Sequence, residues 1–501
     1  MTAVKAAVVL LWGVACFVFF SFCYKHHLFY QEQNQLFLMT EEYVCSYYQG
    51  CGWLSRLMGD FLTQFYYYVY AGPAILTIAL LAEGDIAGRI PQQWGWQKLS
   101  FVIGIAVMTI EACFCLRYSY RLSDVLSHLG LFTSLLLGSM FLRKKHKGIR
   151  IISLLTAGVI GYWLFGFSIP KHMPRLETDV EKELAVTNEY YFGNHSQIIK
   201  MVESEKEPTK RMMFYYNLVQ AKRGTLPDNL LRFKHNELGT FTHVGPDTPL
   251  LTINDMNELY WLLGDMTYTE RAAMMMNVFS KENRNVRAVK RLAECNIVSG
   301  DKEASEKYIR ILEKTLLWKE WAKKLRKDGA TRFQDKIAFA NKRDTLSLSD
   351  NSHFIMMQLL DSNPSNTVAL DYILCSDLLL KDIENFKRDY DRYCIGTDSQ
   401  LSGQTADFRH GRKSDKTMSN CLPSAAAGNT VVRPRIKELY QQALCIWLAG
   451  TQATEEEWQK YIYLPQVLKQ FSLYNQHRGS KEFANTYWYY FDTAEKPQVD
   501  Q

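Results

Sequence analysis

The sequence predicts an all-α protein in which about five membrane helices precede an α-helical-repeat, tetratricopeptide-like solenoid domain. Three observations carry this reading. Charge is segregated along the 501 residues: residues 1–168 hold twelve Lys/Arg and eight Asp/Glu, leaving 46 and 44 for the remainder. Five apolar runs fall in the charge-poor third, each close to the roughly 20 helical residues that a hydrocarbon core requires. Past residue 172 the apolar pattern turns helical, broken by glycine turns at spacings of 31, 40 and 36 residues. The net charge of +6 forms no basic stripe, so no nucleic-acid partner is expected. The same segregation argues against a disordered chain and against a simple soluble enzyme.

The apolar runs cover residues 3–23, 61–82, 99–116, 122–142 and 151–169, with Glu111 interrupting the third. The first carries Gly13-Val14-Ala15-Cys16, which faintly resembles a lipoprotein cleavage site. The apolar run continues past it, and an uncleaved helix is the reading. Five Lys/Arg among residues 143–150 place that loop in the cytoplasm. Counting outward, the N-terminus is cytoplasmic, and the loop 24–60 and everything after 169 lie outside, surrounded at the base by membrane lipid. The expected domains are a transmembrane part (1–172), a helical-repeat domain (173–395), a mobile loop (396–430) rich in Ser, Gly, Thr and Ala, and C-terminal helices (431–501) capping the repeats.

Within the repeat domain, turns are expected at Gly193-Asn194, Gly224-Thr225, Gly264-Asp265 and Gly300-Asp301. A later unit opens at Asn363-Pro364-Ser365-Asn366, presents Ala369 and Tyr372 on one face, and turns at Lys381-Asp382. The aromatic tail 483–491 serves as a cap, a bilayer contact or a sugar platform, with capping the first choice. Of eleven cysteines, Cys45 with Cys51 and Cys394 with Cys421 sit where oxidation is possible outside a membrane, although unpaired thiols fit equally well.

Asn285 and Arg287 with Lys290-Arg291-Leu292, then Gly300, Glu306-Lys307-Tyr308, and Trp318 with Trp321-Ala322 resemble one family. Asn217-Leu218 with Ala221-Lys222, Asp371-Tyr372 and Tyr487-Trp488-Tyr489-Tyr490 do so too. It is an uncharacterised family of bacterial polytopic inner-membrane proteins with a tetratricopeptide-like C-terminal region. The resemblance implies a Gram-negative inner membrane and a periplasmic C-terminal domain. It implies no activity.

Chemistry is concentrated in two places. The loop 24–60 holds His26, His27, Glu32, Glu41, Glu42 and Asp60 beside the aromatic stripe 65–70. Glu41, Glu42 and Asp60 are the candidate catalytic carboxylates, because a base toward an acceptor hydroxyl in a lipid-linked sugar transfer needs such a group. Neighbouring helical residues diverge by about 100°, so Glu41 and Glu42 do not easily share one site. Glu111 and His128 form a candidate intramembrane polar pair, each about two helical turns from the hairpin 117–121, acting as glue or as a proton relay. His195, His235, His243 and His353 are scattered and read as surface or core. No nucleotide, dinucleotide or metal motif occurs in a supporting context, so no cofactor or metal is expected. The leading expectation is a membrane-anchored envelope protein, more plausibly not an enzyme, whose helical-repeat domain binds or scaffolds a protein or glycan partner. The alternative is a membrane transferase acting on a lipid-linked sugar through the outer-loop carboxylates.

Overall fold

A computed structural model describes residues 3–93, 96–140, 147–167, 176–235, 249–341, 351–395 and 436–497. The expected mobile loop 396–430, Cys421 and residues 143–146 of the basic loop lie outside the described residues. Among the described residues every regular element is helical, so the protein is all-α. The chain forms two compact units. One comprises residues 1–197, 249–255 and 269–334, the other residues 198–248, 256–268 and 335–501. The division runs through the stretch 173–395 that the sequence reads as one domain.

The first unit begins with α1 (Ala3–Val18), extended by a π-helical turn over Phe19–Cys23. The loop that follows is itself helical: α2 (His26–Gln33), α3 (Glu41–Cys45) and α4 (Trp53–Thr63). Then come α5 (Ala71–Gln93), α6 (Gln97–Phe114), α7 (Leu122–Met140), α8 (Lys147–Phe165) and α9 (Thr178–Tyr191). Four stretches are long and apolar enough to cross a membrane: Ala3–Cys23, Ala71–Gln93, Gln97–Phe114 and Leu122–Met140. The fifth expected run is shorter, an apolar stretch of Ile151–Phe165. Leu10 is 70% exposed, Leu11 72% and Val159 69%, the surface a bilayer would cover.

The second run differs most from expectation. Its helix starts at Ala71 instead of residue 61, because the aromatic stretch Gln64–Tyr67 forms a separate 3-10 turn. Pro73 suits the first turn of a helix, where its missing N–H costs nothing. At the other end the helix runs on to Gln93 through Glu83 and Asp85. Glu83 faces inward at 1% exposure, and Asp85 pairs with Arg89 one turn on at 2.6 Å.

Small residues set the spacing between α5 and α6. Gly84 and Gly88 are four apart and face Gly104. A Cβ on Gly84 would stand 2.8 Å from the Gly104 carbonyl oxygen, and one on Gly104 only 2.6 Å from that of Gly84. The backbones touch, which is how membrane helices associate without a hydrophobic drive.

The ends of α1, α6 and α8 meet the starts of α4, α7 and α9. The Tyr24 hydroxyl donates to the Leu116 carbonyl at 2.7 Å and accepts from the Glu177 amide at 3.2 Å. Ser55 donates to the Phe165 carbonyl at 2.6 Å. Residues 35–39 pair by backbone with the helices further along: Val286 N–H donates to the Gln35 carbonyl at 3.0 Å, and Met39 N–H to that of Lys314 at 2.7 Å.

All four expected glycine turns are left-handed, with φ of +80° at Gly193, +69° at Gly224, +79° at Gly264 and +82° at Gly300. Gly300 ends Val286–Ser299, and the Asp301 side chain caps Lys302–Glu313 by accepting from the Ala304 amide. In the second unit Asn366 caps Thr367–Leu379 and Asp382 caps Ile383–Tyr390. Within the aromatic tail Tyr487 and Trp488 are buried, and the Tyr487 and Tyr490 hydroxyls donate to the carbonyls of Leu378 and Leu379 at 2.9 and 2.7 Å.

Candidate functional site

Asp60 sits near the end of α4. Gly59 lets that helix lie directly on the start of α7, since a Cβ there would come 2.6 Å from Ser123 Cα. This approach brings Asp60 beside Arg121. Gln31 of α2 holds the intervening hairpin in place, donating to the carbonyls of Tyr118 and Tyr120 at 3.3 and 2.7 Å. The result is a cavity of about 210 Å³ lined by Tyr30, Gln31, Asn34, Asp60, Arg121 and Lys281, among others.

The Tyr47 hydroxyl donates to Asp60 Oδ2 at 2.8 Å, and Gln35 donates to the Asp60 carbonyl at 2.8 Å. Burial raises the Asp60 carboxyl above the usual carboxylate range, opposed by the charges of Lys281 and Arg121. Desolvation and the Arg121 charge hold the Lys281 ammonium below its ordinary range. The Arg284 guanidinium stacks over Tyr43 at 4.3 Å and Tyr47 at 5.0 Å, fixing the phenol that serves Asp60.

The other loop candidates go elsewhere. Glu41 and Glu42 occupy the first turn of α3, both exposed, and neither lines the cavity. The backbone amides of His26 and His27 donate to the Glu181 carboxylate of α9 at 2.6 and 3.2 Å, so Glu181 stabilises the start of α2. Glu32 is buried and accepts from the Trp318 indole at 3.3 Å. Burial raises its carboxyl, and burial also lowers the nearby Lys290 ammonium. Lys290 Nζ lies 3.6 Å above the Trp318 ring and donates to the Tyr191 hydroxyl at 2.6 Å. Cys45 and Cys51 stand as separate thiols. Cys394 is buried, and its expected partner lies outside the described residues.

Inside the helix bundle, His128 Nδ1 lies 3.0 Å from both carboxylate oxygens of Glu111. Tyr120 donates to Glu111 Oε1 at 2.6 Å. Glu83 of α5 completes the cluster: its carboxylate, Glu111 and His128 place one polar atom each within 4.8 Å of one another. Glu83 Oε2 has no hydrogen-bond partner. The sequence reading missed Glu83 because it ended the apolar run at residue 82. The signal was the Gly84–Gly88 spacing beside it, which marks a helix-packing face on which Glu83 would be enclosed. Arg121 and Lys281 were missed for a different reason: they are 160 residues apart, and only the fold joins them.

The family of unknown function designated DUF6057 matches residues 1–170, 171–406 and 415–494. The chain belongs to this family. No curated protein and no solved structure matches the chain. The DUF6057 match runs through both units, and so takes in the Asp60 cavity as well as the Glu83–Glu111–His128 cluster. The family description supplies no chemistry for either place, which leaves their geometry as the ground for a function.

Proposed function

We propose that this member of DUF6057 is a membrane-anchored binding protein of a bacterial envelope. In this reading α1 and α5–α8 lie in the inner membrane, the loop 24–60 and the chain after α8 face the periplasm, and the tetratricopeptide-like helices present a scaffolding surface to a protein or glycan. The observation that carries it is the Asp60 cavity. It joins the loop, the α6–α7 hairpin and Lys281 in one polar pocket with room for a small ligand or the tip of a larger one. Donors (Arg121, Lys281) and an acceptor (Asp60) line it together, which suits a hydroxyl-bearing ligand such as a sugar.

The test is purification of the full-length protein in mild detergent, followed by mass spectrometry of what travels with it. A protein or glycan present at near-stoichiometric amount in wild type and lost from Lys281→Met supports the reading. A chain that carries nothing, or carries the same material in both, overturns it.

A second reading is a transferase acting on a lipid-linked sugar. Asp60 favours it, being a raised carboxyl beside two cations that would suit a phosphate leaving group. Glu41→Gln and Glu42→Gln are then expected to leave function intact while Asp60→Asn abolishes it with ligand still bound. Normal function of Asp60→Asn removes this reading.

A further inference from the structure

The second unit holds a cluster that no sequence motif announced. His353 lies in the first turn of Ser352–Ser362, Asp377 in the last turn of Thr367–Leu379, and Asp389 near the end of Ile383–Tyr390. His353 Nε2 is 2.6 Å from Asp389 Oδ2 and 3.7 Å from Asp377 Oδ1. All three offer a ligand atom within 4.8 Å of the others. The Asp389 side chain is fully buried and that of Asp377 is 4% exposed, whereas His353 at 26% gives access from solvent.

Among the described residues the cluster is short of positive charge. Asp389 has His353 and the Arg388 Nε, 3.3 Å from its Oδ1. Asp377 Oδ2 is buried with no hydrogen-bond partner. Asp382 adds a further negative field at Asp377, and Arg388 opposes it. A buried carboxylate oxygen left unpaired is costly, and a cation between the two carboxylates removes that cost.

We propose that His353, Asp377 and Asp389 form a binding site for a divalent transition cation of the zinc class. One imidazole and two carboxylates are a ligand set such ions accept, and three protein ligands leave a position for water or a ligand. With metal–ligand bonds of about 2.0–2.2 Å, neighbouring ligands on a tetrahedral ion stand about 3.3 Å apart. The present 2.6 and 3.7 Å from the imidazole straddle that spacing, and the two carboxylates offer oxygens within 4.8 Å of each other.

The site can be tested on the full-length protein in detergent, stripped with chelator and titrated with Co²⁺ and Zn²⁺. Wild type is expected to develop visible d–d absorption without a thiolate charge-transfer band. It should also bind one more equivalent of Zn²⁺ than Asp377→Asn. Glu83→Gln should keep the Co²⁺ spectrum, separating this site from the cluster among the membrane helices. If Asp377→Asn fails to fold, His353→Gln at the accessible edge reads the same loss. Equal metal uptake by wild type and the folded variants, or a spectrum dominated by thiolate, overturns the proposal.

Discussion

Asp377 carries the clearest pH dependence at the scale of single residues. Burial, reinforced by the Asp389 charge, pushes its carboxyl up to about 9. The folded chain therefore keeps a proton that the unfolded chain, with an ordinary value of about 4, has given up. A group raised in the folded state makes stability fall as pH rises from about 4 to about 9. With chelator present, Asp377→Asn is expected to unfold at higher temperature than wild type at pH 8 and at the same temperature near pH 4, followed by circular dichroism. A second prediction concerns Tyr120, whose hydroxyl is one of the donors to Glu111. Tyr120→Phe should cost about 1 kcal/mol in thermal unfolding. Glu111→Leu should cost more, because it strips the same partner from His128 and Tyr120 at once.

Elements in this chain are positioned by glycine in two distinct ways, and substitution should separate them. Gly84 and Gly104 exist for contact, so Gly84→Leu should drive α5 and α6 apart and abolish folded protein in detergent. Gly158→Ala, with its Cβ 3.6 Å from Leu135, should be tolerated. Gly300 exists for backbone conformation: at φ +82° with nothing within 4 Å, Gly300→Ala should cost about 1 kcal/mol of αL strain. Gly264→Ala should cost clearly more, since it adds a contact of 2.9 Å with the Phe339 carbonyl oxygen. Denaturant melts of the two variants side by side would rank them. The turns were legible because glycine followed by Asp, Asn or Thr is a local signal, and Asp265 and Asp301 go on to cap the helices that follow them. The start of α5 was not, because hydropathy cannot tell a short aromatic turn packed on protein from a helix in lipid.

For the molecule as a whole, the proposed topology makes an accessibility prediction. Cys45 and Cys51 are exposed in the loop 24–60, while Cys16 and Cys115 are buried. A membrane-impermeant maleimide added to intact cells with a permeabilised outer layer should label the first pair and spare the second. Protection of Cys45 and Cys51 in whole cells, with labelling only after lysis, would invert the orientation.

The sequence by itself determined the all-α class, the membrane character of the first third, the glycine turns and the candidacy of Glu111 and His128. These follow from hydropathy, helical period, capping chemistry and the cost of charge in lipid, all of which act over a turn or two of chain. Only the tertiary structure decided which groups share a place. Asp60 gains Arg121 and Lys281 while Glu41 and Glu42 stay outside, Glu83 joins Glu111 and His128, and His353 meets two aspartates. Those groupings depend on where helices far apart in sequence come to rest, and no local pattern encodes that distance.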